Sequence, residues 1–89
     1  MPRRYQKNNP TRNNIMDFVV EYWKKHKYSP SYREIAAAVL GIRSGKPLST
    51  SYVNYSLDIM QKLGMLTYEK GIARTIVPAN MEVIFYESV

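Results

Sequence analysis

Apolar side chains recur along this chain in three successive helical periods, which then give way to a strand-like pattern. Ile15, Phe18, Val19, Tyr22 and Trp23 stand at i, i+3, i+4, i+7 and i+8, a spacing that lines up one face of an α-helix. It predicts a helix over about 12–26. Thr11 or Asn14 offers a side chain to cap its start, and Lys24, Lys25, His26 and Lys27 crowd its end, where cations suit the helix dipole. In "YSPSYREIAAAVLG", Ser31 and Glu34 form an S-x-x-E capping box. Ile35, Ala36, Val39 and Leu40 then make an inward stripe that Gly41 should stop, giving a second helix over about 32–40. Ala36, Ala37 and Ala38 leave room for another helix to approach closely.

"IRSGKPLS" contains Gly45 and Pro47 and reads as a loop. A third helix begins near Ser49 or Thr50, with Val53, Leu57, Met60 and Leu63 facing inward and Gly64 as its stop. Beyond it, "MLTYEKGIARTIV" holds two β-prone runs around Lys70-Gly71, the pattern of an antiparallel hairpin, and Pro78 ends the second run. The order of three helices and a hairpin, with a tight second-to-third helix pair, is that of a winged helix-turn-helix, an α+β fold that is mainly α. The domain spans 12–78, preceded by a basic arm over 1–11 and followed by a tail over 79–89. In the tail, Val83 to Tyr86 form a short apolar run that suits a last strand, an oligomer contact or a stub of a longer parent protein.

In such a fold the third helix is the one offered to the major groove of DNA. With Val53 at the centre of the buried stripe, Ser51, Tyr55, Asp58 and Lys62 point the opposite way, flanked by Tyr52 and Asn54. Any amphipathic helix has a polar outer face. An ordinary one, however, is rich in Glu and Lys, and residues 49–56 contain neither. Hydroxyls and free helix amides bind phosphate, asparagine reads adenine with two hydrogen bonds, and tyrosine meets a phosphate or a thymine methyl.

Charge adds a second pointer. The net charge is +6, and Arg3, Arg4, Lys7 and Arg12 put four cations and no acid in the first twelve residues, leaving nine cations against seven acids beyond them. A basic arm is drawn to polyanions by counterion release, although it also serves as a solubilising tail. At 89 residues there is room for one small domain, and the absence of cysteine excludes disulfides and thiolate metal sites. No apolar stretch follows the basic start, so neither a secretory signal nor a membrane anchor is expected.

"YSPSYREIAAAVLGIRS" resembles the P-[ST]-x-R-E-I-A…LG…S stretch in the DNA-binding domain of LexA-type repressors. "VNYSLDIMQKLGML" is similar to that family's recognition helix and the start of its wing, and "GIARTIV" to the wing's return strand. The likeness covers about residues 12–77. It implies Ser51, Tyr52, Asn54 and Tyr55 near base edges, and Arg12, Arg33, Lys46, Ser49, Thr50, Lys70 and Arg74 at phosphates, with Arg3 and Arg4 in the arm. Arg33 suits an ion pair with Glu34 equally well, and Lys46 a solvated position. The chain departs from the family in a loop from Ser44 to Val53 about four residues longer, in Ser56 where a histidine is usual, and in Leu63 where a lysine is usual. The family's self-cleaving peptidase domain lies beyond the matching region, so autoproteolysis is not carried over.

His26, the only histidine, sits at a cationic helix end without a cysteine partner, and no P-loop, Rossmann, H-E-x-x-H or G-x-S-x-G pattern occurs. No enzyme activity, cofactor, metal or small-molecule ligand is expected. The expected partner is double-stranded DNA, read by a small prokaryotic or mobile-element transcriptional regulator in the cytoplasm, on the nucleoid, with a homodimer on a palindrome supplying specificity. A rival expectation is a winged-helix module that binds protein through its eight tyrosines and apolar tail.

Overall fold

The computed structural model describes residues 10–79. The arm residues Arg3 and Arg4 and the apolar run from Val83 to Tyr86 lie outside them. The element order is α1 (Pro10–His26), α2 (Tyr32–Ala38), α3 (Thr50–Lys62), β1 (Leu66–Thr67) and β2 (Val77–Pro78). β1 and β2 pair antiparallel, with Leu66 opposite Pro78 and Thr67 opposite Val77. Three helices and a hairpin in this order make a winged helix-turn-helix, as the periodicity predicts.

α1 starts at Pro10, two residues earlier than its apolar stripe indicates. Thr11 and Asn14 therefore lie inside the helix and do not cap it. Proline is well suited to the first turn because its missing N–H would be unpaired there in any case. The buried side chains of α1 are Ile15, Met16, Val19 and Val20, with Phe18 and Trp23 packed against them. The stripe is wider than expected because α1 packs on two neighbours, α2 on one side and β2 on the other. Trp23 ties the second contact by donating Nε1–H to the Ile76 carbonyl at 2.9 Å.

The capping box of α2 is present in both directions. Ser31 Oγ accepts from the Glu34 amide at 3.1 Å, and Glu34 Oε1 accepts from the Ser31 amide at 2.8 Å. Ile35, Ala36 and Val39 are buried. The helix nevertheless ends at Ala38, and Gly41 does not stop it. Val39 turns extended, and Leu40 forms a β-bridge with Pro47 and remains 50% exposed instead of facing inward. The cause lies in the long connection: the Leu48 amide donates to the Val39 carbonyl at 3.2 Å and the Gly41 amide to the Lys46 carbonyl at 2.9 Å. These bonds replace the last helical turn with a miniature hairpin.

α3 is capped by Ser49, whose Oγ accepts from the Tyr52 amide at 3.1 Å. Val53, Leu57 and Met60 are buried, as their spacing predicts, but Leu63 is 46% exposed. Leu63 is the C-cap, and Gly64 follows at φ +77. The Gly64 amide bonds the Gln61 carbonyl and the Met65 amide the Met60 carbonyl, both at 3.0 Å, the Schellman pattern. This reversal swings Leu63 off the inner face and sends Met65 and Leu66 into the core in its place.

Ser56 is fully buried on α3, and its hydroxyl has no hydrogen-bond partner among the described residues. A buried, unsatisfied hydroxyl is costly, and alanine is the better helix former. Ser56→Ala is expected to raise the unfolding free energy by about 1 kcal/mol, read as a higher urea midpoint with an unchanged m value.

Candidate nucleic-acid interface

Burial of Val53, Leu57 and Met60 fixes the rotation of α3 and so decides which side chains it offers outward. Ser51, Tyr55 and Lys62 stand on the exposed side, Tyr55 with 60% of its surface free. Asp58, expected there too, is only half-buried because it turns toward the wing. Tyr52 packs near Tyr55, with ring centroids 6.5 Å apart. Asn54 is half-buried and lines the cleft between α3 and the wing, together with Tyr68 and Lys70. Ser49 and Thr50 are exposed at the start of the helix, where the first amides point outward.

The connection between β1 and β2 is not the plain two-stranded hairpin that the β-prone runs suggest. Only two residues pair on each side, and residues 68–76 form an irregular wing. Side chains divert the backbone groups that a ladder would use. Gln61 Oε1 accepts from the Tyr68 amide at 2.9 Å, and Thr75 Oγ1 accepts from the Glu69 amide at 2.9 Å. The Thr75 hydroxyl also approaches the carbonyls of Glu69 and Ile72 at 3.3 and 3.1 Å. Tyr68 donates its hydroxyl to Asp58 on α3, and Lys70 Nζ lies 3.8 Å from the same carboxylate. Burial, and then the Asp58 carboxylate, push the Tyr68 hydroxyl up to about 12, so it stays a donor at neutral pH.

Arg74 fastens the base of the wing to the helices. Its Nη1 donates to Glu34 Oε1 at 3.0 Å, to the Ser29 carbonyl at 3.0 Å and to the Tyr22 hydroxyl at 3.2 Å. The Tyr22 hydroxyl in turn donates to Glu34 Oε2 at 3.1 Å, and the Arg74 guanidinium lies over the Tyr28 ring, 5.3 Å from its centroid. Arg74 reaches this position with φ +59, a left-handed backbone that a side-chain-bearing residue adopts at a cost. The Ser31 amide, and then Arg74 and Tyr22, hold the Glu34 carboxyl below the usual carboxylate range against an opposing desolvation effect. The acid of the capping box is thus also the anchor of the wing.

Arg74 therefore bonds Glu34, Ser29 and Tyr22 while its side chain stays 44% exposed, whereas the sequence suggests a phosphate contact. Glu34 pairs with Arg74 and not with Arg33, whose guanidinium lies 5.8 Å from the centroid of the Tyr32 ring. Lys46 is exposed on the miniature hairpin, and Lys70 is exposed on the wing beside Asp58. Arg12 is half-buried on α1. His26 stacks on Tyr22, with ring centroids 4.2 Å apart, at the end of α1. Sequence reasoning did not single out Gln61, Tyr68 or Thr75, which shape the wing. Their only local sign is a clustering of hydrogen-bonding side chains around Lys70-Gly71.

The LexA DNA binding domain family model matches residues 9–75, three-quarters of the chain. The chain belongs to this family. No curated protein and no solved structure gives a match. As a LexA-type DNA-binding domain, it carries its DNA-binding function on a winged helix-turn-helix. Among the described residues no helix is long and apolar enough to cross a membrane, and no group of three or more His, Cys, Asp or Glu could hold a metal ion.

Proposed function

We propose that this LexA-type domain reads a specific double-stranded DNA sequence by inserting α3 into the major groove and acts as a small transcriptional regulator. The observation that carries this reading is the two-sidedness of α3. Val53, Leu57 and Met60 are buried, while Ser51 and Tyr55 stand exposed, with Tyr52 and Asn54 beside them. In this reading Ser51, Tyr52, Asn54 and Tyr55 meet base edges, and Ser49 and Thr50 meet phosphate at the capped end of the helix. Lys70 on the wing meets an adjacent phosphate, and Arg74 acts by holding the wing in place. Arg12, Arg33 and the arm residues Arg3 and Arg4 add charge along the flanks. One such module contacts few base pairs, so two copies on a palindrome supply the remaining specificity.

Fluorescence anisotropy with a random duplex tests the reading. Binding is expected at micromolar Kd or tighter in low salt, weakening steeply as salt rises. The rival reading, a protein-binding module, draws on the exposed apolar side chains Leu40, Ile42 and Ile72. It predicts little binding to DNA and almost no salt slope. In-vitro selection from a random duplex library then supplies the preferred site, and a symmetric winner supports the two-copy arrangement.

A further inference from the structure

The connection between α2 and α3 is a built element. Leu40 bridges Pro47, Gly41 and Lys46 are bonded through their backbones at 2.9 Å, and the Gly45 amide donates to the Gly41 carbonyl at 2.9 Å. Ser44 Oγ accepts from the Lys46 amide at 3.2 Å. Gly45 has φ +67, a left-handed backbone that favours glycine and closes the turn, and a Cβ at Gly41 would meet only the rotatable Ser44 Oγ, at 2.7 Å. These bonds hold the backbone of Arg43 and Lys46 in place while both side chains stand exposed. Among the described residues neither has an acidic partner. From Ile35 to Leu57 the chain contains no Asp or Glu, so its only formal charges over this stretch are those two cations.

The position of the hairpin gives these charges their meaning. Lys46 lies three residues before Ser49, the cap of α3, so their Cα atoms are at most about 11 Å apart. Along a duplex axis that distance spans about three base pairs. We infer that the α2–α3 hairpin is a second backbone clamp for DNA, with Arg43 joining Lys46 at phosphates that flank the groove occupied by α3. The inference rests on the reading of α3 as the helix that enters the groove. The hairpin braces one end of α3, as the wing braces its side, and the two together lengthen the contacted duplex.

The test compares wild type, Arg43→Gln/Lys46→Gln and the charge-preserving swap Arg43→Lys/Lys46→Arg in salt titrations on random duplex and on a selected site. The glutamine pair is expected to reduce the slope of log K against log salt by about 1.8, or 0.9 per lost phosphate contact, on every sequence alike. The swap is expected to retain the wild-type slope. Hydroxyl-radical footprinting should show wild-type protection extending beyond that of the glutamine pair by about three base pairs at the same flank. Wild type that binds with a steep slope, together with a glutamine pair of unchanged slope and footprint, overturns the clamp and leaves the reading of α3 intact. Wild type that binds no duplex overturns both. Thermal melting of each variant accompanies the titrations, because neither exposed side chain contributes to the core and an unchanged Tm is expected.

Discussion

Leu57→Ala is expected to lower the unfolding free energy by about 2–5 kcal/mol, whereas Asn54→Ala, one turn earlier on the same helix, should change it by less than about 1 kcal/mol. Leu57 is 1% exposed in the core cluster, so its truncation removes transfer energy and leaves a cavity. A small domain has a total stability of only about 5–15 kcal/mol, so this variant should be partly unfolded in mild urea. Asn54 faces the cleft beside the wing and has no core role. Its loss is expected to remove about 1–3 kcal/mol of binding to the selected site, with preference relaxed at one or two base pairs. Tyr55→Ala, on the fully outward side, should weaken the same site without a fall in Tm. Denaturation followed by circular dichroism reads the first effect, and anisotropy on matched and mismatched duplexes reads the second. Folded Asn54→Ala and Tyr55→Ala proteins with undiminished affinity and preference would remove α3 as the reading helix.

The sequence made visible whatever local chemistry determines. Ser31 and Glu34 announce the start of α2, Ser49 the start of α3 and Gly64 its end, because capping requires particular side chains at fixed offsets. The buried side of α3 was legible for the same reason, since Val53, Leu57 and Met60 repeat with the helical period. Leu40 and Leu63 escaped because each continues an apolar stripe past the point where the backbone leaves the helix. For Leu40 the competing partner is a β-bridge to Pro47, seven residues away, which no periodicity reports. Met16 and Val20 escaped because the buried face of α1 is wider than the single stripe that the period marks. The wing was hardest to see. Arg74 reads as a wing cation, yet its partners Glu34 and Ser29 lie 40 and 45 residues earlier in the chain. Glu34 already had a local explanation in the capping box, so nothing in the sequence marked its second role.

That second role makes Glu34 the sharpest probe of the wing. Near a DNA surface, neutralising an acid normally strengthens binding, because the phosphates repel it. Glu34→Gln is expected to do the opposite. Glutamine can still serve the capping box but cannot hold the Arg74 guanidinium as a charge partner, so the wing loosens. A loosened wing must be ordered on binding, which lowers affinity for every duplex on the order of tenfold. Arg74→Ala should reproduce that loss together with a lower Tm. If Arg74 instead touched a phosphate, its removal would flatten the salt slope by about 0.9; as an anchor, it should leave the slope unchanged. The same anchor predicts an acid limit. The carboxyl of Glu34 is depressed in the folded protein, so its contribution to stability is complete above the ordinary carboxylate range near 4.5 and is lost as pH falls through the folded value. Tm measured from pH 7 down to pH 3 should therefore fall less steeply for Glu34→Gln than for wild type. Parallel curves, with wild-type affinity in Glu34→Gln, would show that the wing stands without this anchor.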